Sequence, residues 1–440
     1  MSNAWPTGAV PTGPTASMTD ADQNLPVSYA DIEAARRRLD DESVVKPTPL
    51  ERSSSLDELV DAEVHLKMEH LQWTGSFKPR GAYNKISQDV DRGVDEFVAA
   101  SAGNHAQGVA LAATKCGASS TVFMPENAPQ AKVDATRGYG ATVELVGKDF
   151  QETMQEAQAA VEDTDATFVH AYDDVDIIAG QGTLGTEMYH DLPDVETVIV
   201  PIGGGGLISG VSTALKHLSP ETRVIGVQAS GAETVHESLD KGFPVTLDEV
   251  QTIADGIATG GISETTLQII QANVDEVVTV TDTEIAEALL LLMERAKQVV
   301  EGAAAASVAA LLHGDVDVSG EVVMPLLCGG NLDMTQLQTV LIHALTGRQQ
   351  LLRLRVRIDD KPGVLEELAG FVADRGANIH DVRHERSVED LDVGEAYLYI
   401  NVETSGVEHA RGIVDAIAAN GYEVRVVNHS ARERMAPADE

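Results

Sequence analysis

The sequence predicts an α/β protein: parallel sheets covered by helices over most of the chain, then a separate βαββαβ unit near the C-terminus. Three observations lead there. From about residue 63 to 345, short runs rich in β-branched residues alternate with helical stretches. These runs are near-continuously apolar, as strands buried on both faces are. After Gly347 the rhythm changes to strict alternation, Leu352-Arg353-Leu354-Arg355-Val356-Arg357-Ile358, the pattern of a strand with one wet face.

Residues 1–27 are rich in Pro, Thr, Gly and Ala without a period, and are expected to form a disordered leader. A helix should start at Ser28-Tyr29-Ala30-Asp31. Lys46-Pro47-Thr48-Pro49 breaks that pattern, since a residue before proline is pushed out of the α region. Strands are expected at Val64–Met68, Glu96–Ala100, Thr121–Met124, Thr142–Val146, Thr197–Val200, Arg223–Val227 and Glu321–Leu327. Helices such as Ala106–Lys115 and Leu207–Leu218 lie between them, which is the order of parallel sheets covered on both faces. The expected division is a main domain over 28–347, with a smaller subdomain at about 75–170. A second domain covers 351–430, and a tail covers 431–440. In the second domain a strand, a helix (Val364–Asp374), two strands, a helix (Val407–Asn420) and a last strand (Tyr422–Asn428) make the ferredoxin-like βαββαβ order.

The chain carries 70 acidic and 31 basic residues, a formal net charge of −39 spread along its length. That balance disfavours nucleic acid, whose phosphates it would repel. It fits either a protein kept soluble at high salt or an ordinary acidic enzyme. Two cysteines far apart, Cys116 and Cys328, exclude a disulfide framework and point to a reducing compartment. No apolar run reaches membrane-spanning length, and Leu289–Met293 reads as a core helix face. The expected location is the cytoplasm.

Four turns carry the chemistry. In Thr74-Gly75-Ser76-Phe77-Lys78-Pro79-Arg80-Gly81, Pro79 opens a helix and places Lys78 at its positive end. That position favours the free amine, which a lysine needs to condense with a carbonyl. Ser101-Ala102-Gly103-Asn104-His105 follows a strand and begins a helix. Its amides could hold a carboxylate while Asn104 offers a hydrogen bond, or Asn104 simply caps a turn with His105 at the surface. Gly203-Gly204-Gly205-Gly206-Leu207 also follows a strand; four glycines let the backbone wrap an anion, where a mere flexible turn would not need them. The spacing is neither a Walker loop nor a dinucleotide fingerprint. Cys328-Gly329-Gly330-Asn331 closes a strongly apolar strand, at the end where such sheets bind ligands.

Together these turns resemble the serine/threonine dehydratase group of pyridoxal-phosphate enzymes, of the tryptophan-synthase β type with its two-subdomain parallel-sheet fold. Within that group the chain is most similar to the threonine dehydratases, or threonine ammonia-lyases. The resemblance covers about residues 30–345. It implies that Lys78 bonds the pyridoxal 5'-phosphate cofactor covalently, with Phe77 near its ring. Ser101, Gly103, Asn104 and His105 would bind the substrate carboxylate, and Asn104 would also set the cofactor's 3-hydroxyl. Gly203, Gly204, Gly205, Gly206 and Leu207 would hold the phosphate. Cys328 stands where the family usually has Ser or Thr against the pyridine nitrogen, a contact that suits elimination over transamination. Glu301 matches an acidic family position or is a helix cap. Ala102 replaces the serine that related racemases use as an acid/base, which favours elimination. Glu233 stands alone where relatives build a divalent-cation site, so no metal is expected.

Residues 359–365, Asp-Asp-Lys-Pro-Gly-Val-Leu, resemble the first turn of ACT domains, which bind amino acids. The implied activity is deamination of L-threonine to 2-oxobutanoate and ammonia, with L-serine going to pyruvate, in isoleucine synthesis or threonine catabolism. A branched-chain amino-acid effector and a homodimer or homotetramer go with it. The alternatives are a threonine synthase-like or serine racemase-like enzyme of the same fold, or a non-catalytic amino-acid sensor.

Overall fold

The computed structural model describes residues 25–427 apart from 163, 315 and 387–389. Most of the expected leader, the expected tail and Asn428 lie outside the described residues. The chain falls into two compact units, one ending at Asp333 and one beginning at Met334. The helix Met334–Gly347 therefore groups with the C-terminal unit. Val27, at the end of the expected leader, is buried against Ile32, Ala35 and Ile178.

The first helix is Tyr29–Arg38. Ser28 caps it in a reciprocal box with Asp31, which satisfies two amides that the helix start leaves unpaired. Among the described residues, ten strands follow in the first unit. They are β1 (Leu50–Arg52), β2 (Glu63–Lys67), β3 (Glu96–Ala100), β4 (Ser119–Met124), β5 (Thr142–Leu145), β6 (Thr167–Phe168), β7 (Thr197–Pro201), β8 (Arg223–Ala229), β9 (Glu276–Val280) and β10 (Val322–Pro325). They form a six-stranded sheet, order β1-β2-β10-β7-β8-β9, and a four-stranded sheet, order β5-β4-β3-β6. Every pairing is parallel except β1 with β2.

All seven predicted strands of this unit are present, and their alternation with helices bears out the α/β parallel-sheet class. Three strands lie outside the predicted set. β6 has only two residues, β1 follows a proline pair, and β9 (Glu-Val-Val-Thr-Val) has a legible pattern that the prediction omits. Leu289, Leu290 and Leu292 are buried, as expected of a core helix face. Among the described residues no helix is long and apolar enough to cross a membrane.

The second unit holds an antiparallel sheet of β11 (Leu351–Asp359), β12 (Asn378–Glu385), β13 (Glu395–Glu403) and β14 (Glu423–Val426), order β12-β13-β11-β14. The predicted alternation of β11 is realised: Leu352, Leu354, Val356 and Ile358 are buried while the arginines between them are not. These residues pack with Leu368 and Val372 of one helix and Ile413 and Ile417 of the other. Each such side chain contributes roughly 1.5–3 kcal/mol when fully buried. The wet face is covered by stacking, Arg353 over Tyr399 and Arg355 over Tyr397.

Candidate active site

Lys78 opens the helix Lys78–Asp91 with proline in its first turn, as the sequence predicts. The loop before it is sewn to the loop after β10. Phe77 N–H donates to the Cys328 carbonyl at 3.2 Å, and Gly330 N–H donates to the Gly75 carbonyl at 2.8 Å. Gly75 needs to be glycine twice over: its φ is +73°, and a Cβ there would lie 2.7 Å from Asn331 Oδ1. The Lys78 amine donates to the Ala171 carbonyl at 3.1 Å and lies 5.1 Å from the Phe77 ring centre. Burial of the amine lowers its pKa from 10.5 to about 8. The direction is the one the helix start predicts, but the main cause is desolvation.

Helix Asn104–Lys115 follows β3 and crosses close to the lysine, where a Cβ on Gly108 would stand 3.1 Å from the Lys78 backbone. Ser101 Oγ accepts from Gly103 N–H at 3.2 Å and shapes the turn. The Asn104 amide donates to both oxygens of Glu301, at 2.9 and 3.0 Å, and accepts from Asn331 Nδ2 at 2.7 Å. Asn331 also donates to the Thr74 carbonyl at 2.6 Å. These contacts set the flip of Asn104: Oδ1 is taken by Asn331, so Nδ2 is its donor end. Glu301 precedes helix Gly302–His313 as its cap residue, yet its side chain makes no cap bond. It reaches Asn104 instead. Burial raises its carboxyl pKa. Gly329 gives it room, since a Cβ there would lie 2.4 Å from Glu301 Oε1.

His105 is placed differently from its neighbours. Its ring is buried, with Nε2 bonded to the Val169 carbonyl at 2.8 Å, and burial depresses its pKa to about 3. The imidazole is a neutral part of the core, neither a surface group nor a charge for an anion. Only the backbone of this residue remains to serve a carboxylate.

The tetraglycine turn joins β7 to helix Gly206–Leu218. Gly205 adopts φ +89°, and a Cβ on Gly204 would strike the Tyr172 ring at 2.3 Å. Thr266 Oγ1 donates to the Gly204 carbonyl at 3.0 Å, and Leu207 is buried below. The first amides of a helix lack intrahelical partners, so this turn presents a bare donor surface without side chains. Cys328 is buried just past β10, and burial pushes its thiol pKa well up, so it carries its proton. The four turns thus follow or flank the carboxyl ends of β2, β3, β7 and β10, where ligands of such sheets bind.

Two groups lie outside the sequence-based expectation. The segment His170-Ala171-Tyr172 lies between the lysine and the glycine turn, and no local pattern marks it. Behind the lysine's helix is a buried ionic network. Glu187 accepts from Lys67 Nζ at 2.6 Å and Arg80 Nη2 at 2.7 Å, and Arg80 pairs with Glu69 at 2.8 Å. Arg80 stands in the lysine motif, but Glu187 is a single acid in a long helix and gives no local signal.

A lysine of lowered pKa and a glycine turn of free helix-start amides, linked through the segment 170–172, fit pyridoxal phosphate, which carries an aldehyde and a phosphate. Residues 42–329 match the family of pyridoxal-phosphate dependent enzymes, and the chain belongs to that family. Residues 352–429 match the ACT domain. The chain is 45% identical to the L-threonine ammonia-lyase of Thermotoga maritima over 405 residues, covering 91% of this chain and 100% of the relative. The processed form of threonine deaminase isoform 2 from Solanum lycopersicum aligns with TM-score 0.68 at 35% identity, over 72% of this chain and 87% of that one. A second threonine deaminase, from T.th., aligns with TM-score 0.66 at 40% identity, over 70% of this chain and 99% of that one.

Proposed function

We propose that the protein deaminates L-threonine to 2-oxobutanoate and ammonia, and L-serine to pyruvate. The observation that carries this is the Lys78 amine, lowered to about 8 by burial and bonded to the Ala171 carbonyl, next to Tyr172, which packs on the glycine turn. Pyridoxal phosphate, when bound, supplies the electron sink for an amino acid that has lost its α-proton. Gly203–Leu207 would hold its phosphate, Lys78 would bond it, and Asn104 would serve its 3-hydroxyl. Cys328, a neutral thiol, would face its ring nitrogen. The amides from Ser101 to His105 receive the substrate carboxylate. Lys78, as a free amine, would take the α-proton; the β-hydroxyl would leave as water with a second proton, and hydrolysis of the released enamine would give the 2-oxo acid and ammonia. Ala102 offers no proton to the opposite face, so elimination outruns racemisation. The likeness to L-threonine ammonia-lyase and threonine deaminases supports this reading. The test is 2-oxo acid release from threonine and serine by the purified chain. D-serine formation as fast as deamination would overturn it.

The C-terminal unit is an amino-acid sensor in this reading, and the working enzyme is a cytoplasmic homodimer or homotetramer. Its Asp360 carboxylate is held by Arg386 at 2.6 Å, and Gly363 at φ +97° starts the helix Val364–Ala373. Isoleucine first and valine second are expected to bind there and shift the threonine response by about 5–150-fold in affinity. Calorimetry on the full chain checks this, and no heat with either amino acid makes the domain an assembly module.

Adaptation to high salt belongs to the same reading. With 70 acidic and 31 basic residues, activity and melting temperature should rise toward molar potassium chloride. There the screening length is only about 3 Å, which relieves repulsion among carboxylates. Equal stability in dilute buffer would remove the salt-adapted assignment.

A further inference from the structure

We propose that His170 is a positioning residue, holding the turn that presents one carbonyl to the Lys78 amine and one aromatic wall to the glycine turn. This rests on the cofactor reading above. His170 comes two residues after β6, where Val169 N–H still bonds the Val98 carbonyl of β3 at 2.8 Å. His170 Nδ1 then accepts from two backbone amides, Tyr172 at 3.3 Å and Asp173 at 2.8 Å. A ring nitrogen that accepts cannot carry the proton, so the neutral ring is the Nε2–H tautomer. The ring also meets the Tyr172 ring edge-on, with centroids 4.7 Å apart at 76°.

The far end of the turn is pinned as well. Asp174 caps helix Val175–Asp191, accepting from Asp176 and Ile177 amides at 2.8 and 3.2 Å. Only three residues separate these two anchors, and they carry both contacts. The Ala171 carbonyl takes the Lys78 amine at 3.1 Å. The Tyr172 ring and its Cβ occupy the space that side chains at Gly204 and Gly206 would need, 2.3 and 2.9 Å from a Cβ placed there. The Tyr172 hydroxyl donates to the Gly261 carbonyl at 3.4 Å and ties the turn to that loop. Burial lowers the His170 pKa, which keeps the acceptor nitrogen free near neutral pH. Removing the acceptor leaves two amides unpaired and loosens the lysine's partner and the cradle's wall together.

The test uses the full chain stripped of cofactor and titrated with pyridoxal phosphate, followed by the visible band of lysine-bound cofactor. Three variants are compared: His170→Leu, which keeps bulk without an acceptor; His170→Ala, a second acceptor-free change; and His170→Asn, whose side-chain oxygen can accept the same amides. The acceptor-free variants should bind pyridoxal phosphate roughly 2- to 10-fold more weakly, the net worth of an ordinary hydrogen bond to amides that water can partly reach. His170→Asn should recover most of that affinity. Equal affinity in all forms overturns the proposal, as does an Asn variant no better than Leu. A wild-type protein without the visible band overturns the reading of Lys78 itself, and this proposal with it.

Discussion

Replacing Lys78 with alanine should abolish the visible band of bound cofactor and lower threonine turnover by at least about 10²–10⁴-fold, the share a positioned proton-transfer group supplies. The covalent contribution adds to that loss. The amine is enclosed, bonded to the Ala171 carbonyl and lowered to about 8, so an appreciable free-base fraction exists near neutral pH. Burying an amine costs stability, so its removal should leave the fold intact. Borohydride fixation of cofactor, followed by peptide mapping, checks the assignment. The label should fall on Lys78 in the unsubstituted chain and vanish in Lys78→Ala. A label elsewhere, or wild-type turnover in the variant, removes Lys78 from the chemistry.

The second large effect is expected at Glu187. Its carboxylate joins Lys67 and Arg80, both fully buried, and also accepts from Thr48 N–H at 3.0 Å. Burial by itself would raise this carboxyl, but Arg80 and Lys67 outweigh it and hold its pKa at about 2. Glu187→Leu strips one anion from two buried cations. Removing one partner of such a pair typically costs about 3–5 kcal/mol. Urea unfolding of the cofactor-free chain should show this, since the site chemistry does not touch Glu187. Because the folded pKa lies below the ordinary 4.5, the stability from Glu187 is complete above about pH 4.5 and is lost as pH falls toward 2. The wild type should therefore lose more stability on acidification over that window than Glu187→Leu does. A change below about 1 kcal/mol would mean that Glu69 and Asp191 already suffice for the two cations.

Several parts of this molecule could be read from neighbouring residues alone. The apolar strands of the parallel sheets, the alternation of β11, the proline-started helix after Lys78 and the tetraglycine turn are all patterns within a few positions. They survive folding because backbone geometry and strand or helix period are set locally. The family resemblance rests on the same short stretches, and residues 42–329 and 352–429 match where those stretches lie.

What the tertiary structure decided is which of these stretches meet, and in what chemical state. Asn104 is joined to Glu301 across 197 positions and to Asn331 across 227, through the closure of loops from different strands. His105, expected beside a carboxylate, turns inward to the Val169 carbonyl, just past β6, at the start of helix Asn104–Lys115. Glu187 gained a role that no local period encodes, since it joins Lys67 and Arg80 from elements far apart in sequence; the turn that His170 holds is local, but its contacts with Lys78 and Gly204 are not. The free-amine tendency of Lys78 was legible from its helix start. Its extent was not, because desolvation depends on everything packed around the amine, and that is a property of the folded chain.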